Sequence, residues 1–326
     1  MKPALHFPRI GKNLLAAAIV AMFGIAGLPA EAKPKQASAA GKPIKGDINA
    51  AKALTFLYGN AKAKGRTQYA TVRKIERQPG WDDDTAQTFA GKSARAEVAR
   101  EARYTEQGKE KYLLITSVNL LKGNDCFACQ PLTQGALFAK EGGQWLLEAQ
   151  NKDLGLVGGY GDVQGRGGLK PTEIGRGKYG FLISGGAYRQ DCLSEVFSIV
   201  MPYNGTLGNF GFDFDDEEWV FELCNREGYE PEAVEKCKGR KQEPTGVKES
   251  VDGGTVIGEI NTMEGDEEYP IIGFWDGKLM TVDTGADYYD IVVQGKYREE
   301  ICGPITWKTQ RLRFANGSYK EVKGAK

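Results

Sequence analysis

Lys111-Tyr112-Leu113-Leu114-Ile115-Thr116-Ser117-Val118-Asn119-Leu120-Leu121 leads through Lys122-Gly123 into Asn124-Asp125-Cys126-Phe127-Ala128-Cys129-Gln130-Pro131. Tyr112–Val118 is dense in aromatic and β-branched residues, the composition of a strand. Behind it, Gly135–Gln150 reads as a hairpin divided at Gly142-Gly143. The C-x-x-C pair therefore stands at a corner between strands. A thiol-disulfide active site needs a thiolate at a helix N-terminus in a βαβ setting. Pro131 and the β signals after it speak against a helix starting at Cys129.

Upstream the pattern is mixed. Ile48, Ala51, Leu54, Leu57 and Tyr58 recur at helical spacing up to Gly59 or Gly65, with Asp47 placed to cap the helix. Gln68–Arg77 suits strand or helix, Pro79-Gly80 is a turn, and Asp82-Asp83-Asp84 can start a helix with anions at its positive end. Ala94–Tyr104 is alanine-rich, yet it also suits one long strand feeding a hairpin. Downstream, Gly177 divides Thr172–Arg176 from Tyr179–Ser184, and Gly185-Gly186 leads into Val196–Met201. Asp276-Gly277 and Asn316-Gly317 are the strongest hairpin signals, because both central residues of a type I′ turn need positive φ. The expected fold is α+β: mainly antiparallel sheet of successive hairpins, an N-terminal helix packed on it, and disulfides stabilising it.

Residues 155–168 hold seven glycines and read as an exposed loop, and Lys238–Gly254 reads as a charged linker. The organisation expected is a signal peptide over 1–32, a flexible leader over 33–46 and one β-rich domain over 47–326. A subdomain break near 238–254 is the alternative.

Lys2, Arg9 and Lys12 precede an apolar run from Leu14 to Gly27, then Pro29 and Ala30-Glu31-Ala32. This is the pattern of an export signal cleaved after Ala32, its apolar run being short for a bilayer span. An uncleaved anchor is the alternative. Export makes the mature protein periplasmic or secreted, with no transmembrane segment after cleavage. The whole chain has 43 basic and 43 acidic residues. The leader holds three Lys/Arg and one Glu, which leaves 40 basic against 42 acidic. Such a balance gives no electrostatic reason to expect nucleic acid as a partner. The single histidine is His6, so the mature chain has none. That removes Ser-His-Asp and Cys-His catalysis and His-ligated metals.

Cys126, Cys129, Cys192, Cys224, Cys237 and Cys302 all lie in the mature chain. An even count in an exported protein favours disulfides, with fifteen connectivities open. The pairing expected here joins Cys224 to Cys237 across a short acidic helix at Pro231–Lys236, Cys126 to Cys129, and Cys192 to Cys302.

Three runs imitate functional motifs. Ala86–Ser93 ends in Gly91-Lys92-Ser93 like a phosphate-binding loop, but Trp81-Asp82-Asp83-Asp84 precedes it and would repel phosphate. Asp213, Asp215, Asp216, Glu217 and Glu218 are a candidate calcium cluster whose spacing fails the EF-hand pattern. Met280-Thr281-Val282-Asp283-Thr284-Gly285-Ala286 resembles the active-site signature of aspartic proteases of the single-lobe retroviral type. That resemblance implies Asp283 as a catalytic carboxylate following a hairpin that turns at Asp276-Gly277. Too few residues follow Gly285 for the flap and the later apolar segment. Asn204-Gly205-Thr206 and Asn316-Gly317-Ser318 fit glycosylation sequons and are read as turns.

Asp125–Pro131, with Gly135-Ala136-Leu137-Phe138, Gly143-Gln144-Trp145 and Tyr288-Tyr289-Asp290-Ile291-Val292-Val293, resembles a D-C-x-A-C-x-P pattern of uncharacterised bacterial exported proteins. The resemblance implies no activity. The expected role is a non-enzymatic binding or structural module of the bacterial envelope, with no cofactor. An aspartic-protease-like hydrolase using Asp283 and a thiol-disulfide oxidoreductase using Cys126 and Cys129 are the alternatives.

Overall fold

The computed structural model describes residues 42–65, 67–121, 131–155, 169–189, 192–214, 217–218, 221–224, 244–245, 248–261, 274–298 and 304–322. Among these, a seven-stranded antiparallel sheet is formed by β1 (Ile44–Lys45), β2 (Lys62–Lys64), β3 (Thr67–Val72), β4 (Ala94–Glu106), β5 (Lys109–Leu120), β6 (Leu132–Glu141) and β7 (Gln144–Asn151). Its spatial order is β1-β7-β6-β5-β4-β3-β2. Two helices accompany it, α1 (Ala50–Tyr58) and α2 (Asp83–Phe89).

β5 explains the layering. Tyr112 and Leu114 pack with Leu54, Ala53 and Phe138 under α1, and Val118 and Leu120 pack with Phe89 and Trp81 around α2. Leu113 and Ile115, on the opposite face, join Phe181, Ile183, Val200 and Leu207 of a second sheet. Side chains alternate across a strand, so a strand covered on both sides must be apolar at odd and even positions alike.

The second sheet contains β8 (Pro171–Gly175), β9 (Lys178–Arg189), β10 (Cys192–Tyr203), β11 (Thr206–Phe214), β12 (Glu217–Glu218), β13 (Phe221–Cys224), β14 (Thr255–Asn261), β15 (Phe274–Val282), β16 (Asp290–Arg298), β17 (Thr306–Ala315) and β18 (Ser318–Glu321). The path is β14-β15-β16-β17-β18-β11-β10-β9-β8, with β12 on β11 and β13 on β10. The β11–β18 ladder is parallel. This sheet curls onto itself. Phe197, Ile199 and Met201 of β10 meet Leu279, Ile291, Val293 and Leu312 in one cluster, while Val200 faces the first sheet. Where the curl closes, Tyr289 N–H donates to Ile174 O at 2.7 Å. A Cβ on Gly175 would come within 2.3 Å of Asp287 O, so only glycine lets these backbones approach.

Several sequence expectations are corrected. Asp276-Gly277 is not a turn: both residues lie inside β15, where Gly277 opposes Gly295 of β16. A Cβ there would sit 2.4 Å from Gln294 O, so the glycine serves close strand contact. Gly185-Gly186 likewise lies within β9. Ala94–Glu106 is a strand throughout, paired with β3 and β5, with a register shift between Val98 and Arg100. The cap of α1 is Asn49, whose Oδ1 accepts from Lys52 N at 3.0 Å. Asp47 is drawn instead to Arg103, at 2.9 Å. Asn316-Gly317 and Asn204-Gly205 are turns with positive φ at both residues, 53° and 83° in the first, 49° and 77° in the second. Among the described residues no helix is long and apolar enough to cross a membrane. The glycine-rich run over 156–168 lies outside the described residues.

Candidate functional site

A cleft of about 700 Å³ opens beside the C-terminal end of α1, lined by residues from the 57–62, 71–78 and 150–152 segments and by Gln134. α1 stops at Gly59, which is left-handed (φ 75°) and returns its N–H to Thr55 O. Asn60 then holds the exit. Its Nδ2 donates to Tyr58 O and Thr71 O, and its Oδ1 accepts from Thr71 N at 2.8 Å. The side chain thus acts as a surrogate peptide that fixes the end of β3 to the end of α1.

Tyr58 is placed by this arrangement over the sheet. Its hydroxyl donates to Gln134 Oε1 at 2.9 Å and lies 3.0 Å from Thr116 Oγ1. Burial pushes the phenol up to about 12, against the hydrogen bond from Thr116. With Gln134 Oε1 engaged, the amide N–H donors of Gln134 have no protein partner among the described residues.

The far wall is the 73–78 segment, anchored at the buried Ile75. Ile75 N–H donates to Lys92 O at 2.9 Å, and Gly91 N–H donates to Ile75 O at 2.8 Å. Ser93 Oγ donates to Arg73 O at 2.7 Å. Gly91, Lys92 and Ser93 thus hold this wall through backbone and hydroxyl groups, and the Lys92 side chain is exposed. Lys152 closes one end by donating to Glu76 Oε2 at 2.9 Å, which holds the Glu76 carboxyl below its ordinary range. Lys62, Arg73 and Lys74 form no ion pair among the described residues. The cleft therefore offers donors and positive charge: Lys62, Arg73 and Lys74 remain as cations once Lys152 and Glu76 have paired with each other.

The residues singled out by sequence do not assemble here. Asp283 lies in the exposed loop after β15, where its Oδ1 accepts from Gly285 N at 2.7 Å. Arg176 stands 4.0 Å from its other oxygen. The hairpin expected before it is absent, since residues 274–282 form one strand. Asp213 belongs to β11, while Asp215 and Asp216 lie outside the described residues. Among the described residues no three His, Cys, Asp or Glu side chains are grouped as for a metal ion. Cys126, Cys129, Cys237, Cys302 and the expected helix at Pro231–Lys236 also lie outside them. Cys192 and Cys224 are strand residues, and their backbones oppose one another across the β10–β13 ladder.

Sequence reading missed the cleft because its residues come from separate segments with no motif among them. Tyr58 carries the apolar spacing of α1 and so reads as a packing residue. The local trace was Gly59-Asn60, a helix stop followed by a residue able to bond the backbone. No family model, no curated protein and no solved structure matches the chain.

Proposed function

We propose that this is an exported bacterial envelope protein, periplasmic or secreted, whose role is non-enzymatic binding. Its ligand is a small anion carrying carboxylate or phosphate groups, taken into the cleft beside α1. The observation that carries this reading is the one-sided chemistry of the cleft. Gln134 and Gln150 supply amide donors, Lys62, Arg73 and Lys74 supply charge, and the carboxylate of Glu76 is paired with Lys152. A donor-rich, cationic concavity favours a ligand rich in acceptors. The exported setting rests on the basic and apolar leader over 1–32 and on the six cysteines after it.

Isothermal titration of the mature protein with citrate and with tripolyphosphate tests the reading, with glucose as the neutral comparison. Saturable binding of at least one anion is expected, weakening with salt as charge is screened. An R73E/K74E variant should keep its melting temperature and lose at least ten-fold in affinity. Equal binding by the variant, or preference for glucose, contradicts the proposal. The exposure of Asp283 and its bond to Gly285 give no support to a hydrolase.

A further inference from the structure

We infer that Cys192 and Cys224 are joined by a disulfide that fastens β13 to β10, a pairing different from the one the sequence suggests. The inference rests on the exported setting proposed above and on backbone register. β10 is a forked strand. Along one side it pairs with β9 from Cys192 to Val200. On the other side it pairs first with β13, from Cys192 to Glu195, and then with β11, from Ser198 to Tyr203. In the β13 arm the partners are Cys192 with Cys224, Leu193 with Leu223, Ser194 with Glu222 and Glu195 with Phe221. The two cysteines are directly opposed at the end of this ladder.

Directly opposed residues of an antiparallel pair have Cα atoms about 4.5 or 5.5 Å apart, according to whether the pair is hydrogen-bonded. Both values fall within the roughly 4.4–6.8 Å span of disulfide-linked Cα atoms. The register therefore brings the two backbones within bridging range without displacing either strand. Each cysteine forms one such bond, so this pair excludes both Cys224–Cys237 and Cys192–Cys302. It reduces fifteen connectivities to the three available to Cys126, Cys129, Cys237 and Cys302.

Formation is a thiol-disulfide exchange. One thiolate attacks the disulfide of an oxidoreductase of the exported compartment, giving a mixed disulfide, and the second thiolate displaces it. Two cysteine thiols are oxidised, the oxidant's disulfide takes up the two electrons and the two protons, and the oxidant leaves as a dithiol. The bond closes the chain around the β10–β11 hairpin and holds β13 where the sheet forks.

The test is peptide mapping of the mature, exported protein after alkylation, without reduction. Trypsin alone leaves both cysteines in one peptide, between Arg189 and Arg226, so cleavage after glutamate is added. The expected product is Gln190–Glu195 linked to Leu223–Arg226, separating on reduction. A link from Cys192 or Cys224 to any other cysteine overturns this pairing and leaves the exported setting standing. Six alkylated thiols contradict both. In C192S, maleimide should label Cys224 and leave the other four cysteines unlabelled; labelling at Cys302 or Cys237 instead also overturns the pairing. The wild-type map decides the question even if C192S fails to accumulate.

Discussion

The aromatic interior of the curled sheet and the cleft beside α1 treat polar and apolar groups in opposite ways. In the first, Phe314 lies against Tyr288 at 4.6 Å, Tyr319 at 5.0 Å, Phe210 at 5.2 Å and Tyr203 at 5.3 Å between ring centroids. The Phe210 and Tyr203 contacts are edge to face, the arrangement that aligns positive ring edges with negative faces. These rings draw together β10, β11, β17, β18 and the loop before β16. Charge is satisfied there too: Asp290 is wholly buried and bound by Arg313 through two hydrogen bonds, at 3.0 and 2.9 Å. In the cleft, the hydroxyl of Tyr58 fixes one amide oxygen, and the adjoining amide donors and lysines face a concavity. The first region meets its rings and its buried charge with its own contacts, though the buried hydroxyl of Tyr319 has no hydrogen-bond partner among the described residues. The second keeps binding capacity in reserve, which is what separates framework from site.

The largest expected effect is on the framework. Asp290→Ala leaves Arg313, and Arg311 at 3.9 Å from the same carboxylate, without their buried counter-charge. About 3 kcal/mol of stability should be lost, at the lower end for a broken buried pair because both arginines are partly exposed. Urea unfolding monitored by circular dichroism measures it. Phe314→Ala should cost about 2–3 kcal/mol in the same assay, less than a fully buried phenylalanine because Phe314 is only partly covered. Were Phe314→Ala no more costly than a rim substitution, the contrast between the two regions would fail.

Smaller effects sharpen the cleft side. Tyr58→Phe removes one hydroxyl from Gln134 and Thr116 and should cost about 1 kcal/mol. It also frees the Gln134 carboxamide to rotate, so anion affinity should fall with little change in fold. The Tyr58 phenol should titrate near 12 in the folded protein, followed by the ring carbon bearing oxygen in a ¹³C NMR titration. Its folded value lies above its unfolded value of 10.0, so its contribution to stability is complete below pH 10 and is lost as pH rises toward 12. Lys74→Glu, at an exposed rim position, should change stability by less than about 0.5 kcal/mol while weakening anion binding.

What was legible in the sequence follows the range of the forces involved. The antiparallel, β-rich character was readable, because turns at Gly142-Gly143, Asn204-Gly205 and Asn316-Gly317 require positive φ locally. Asp276-Gly277 carries the same letters for another reason: the nearness of Gln294 and Gly295 on β16, contributed by residues about twenty positions further along. Asp47 looked like a cap and is engaged by Arg103, from the distant strand β4. The cleft is the extreme case. Asn60 with Thr71, Tyr58 with Gln134, and Glu76 with Lys152 are each joined across the fold, and none leaves a pattern along the chain.

The most direct test of the account is a ¹⁵N-resolved NMR titration of the mature protein with tripolyphosphate. Amide shifts that saturate and cluster at Tyr58–Lys62, Arg73–Gln78, Gln134 and Gln150–Lys152, with the signals of Tyr203, Phe210, Tyr288 and Phe314 unmoved, are the predicted result. Shifts centred on the aromatic residues or on Asp283, or none that saturate, would contradict it.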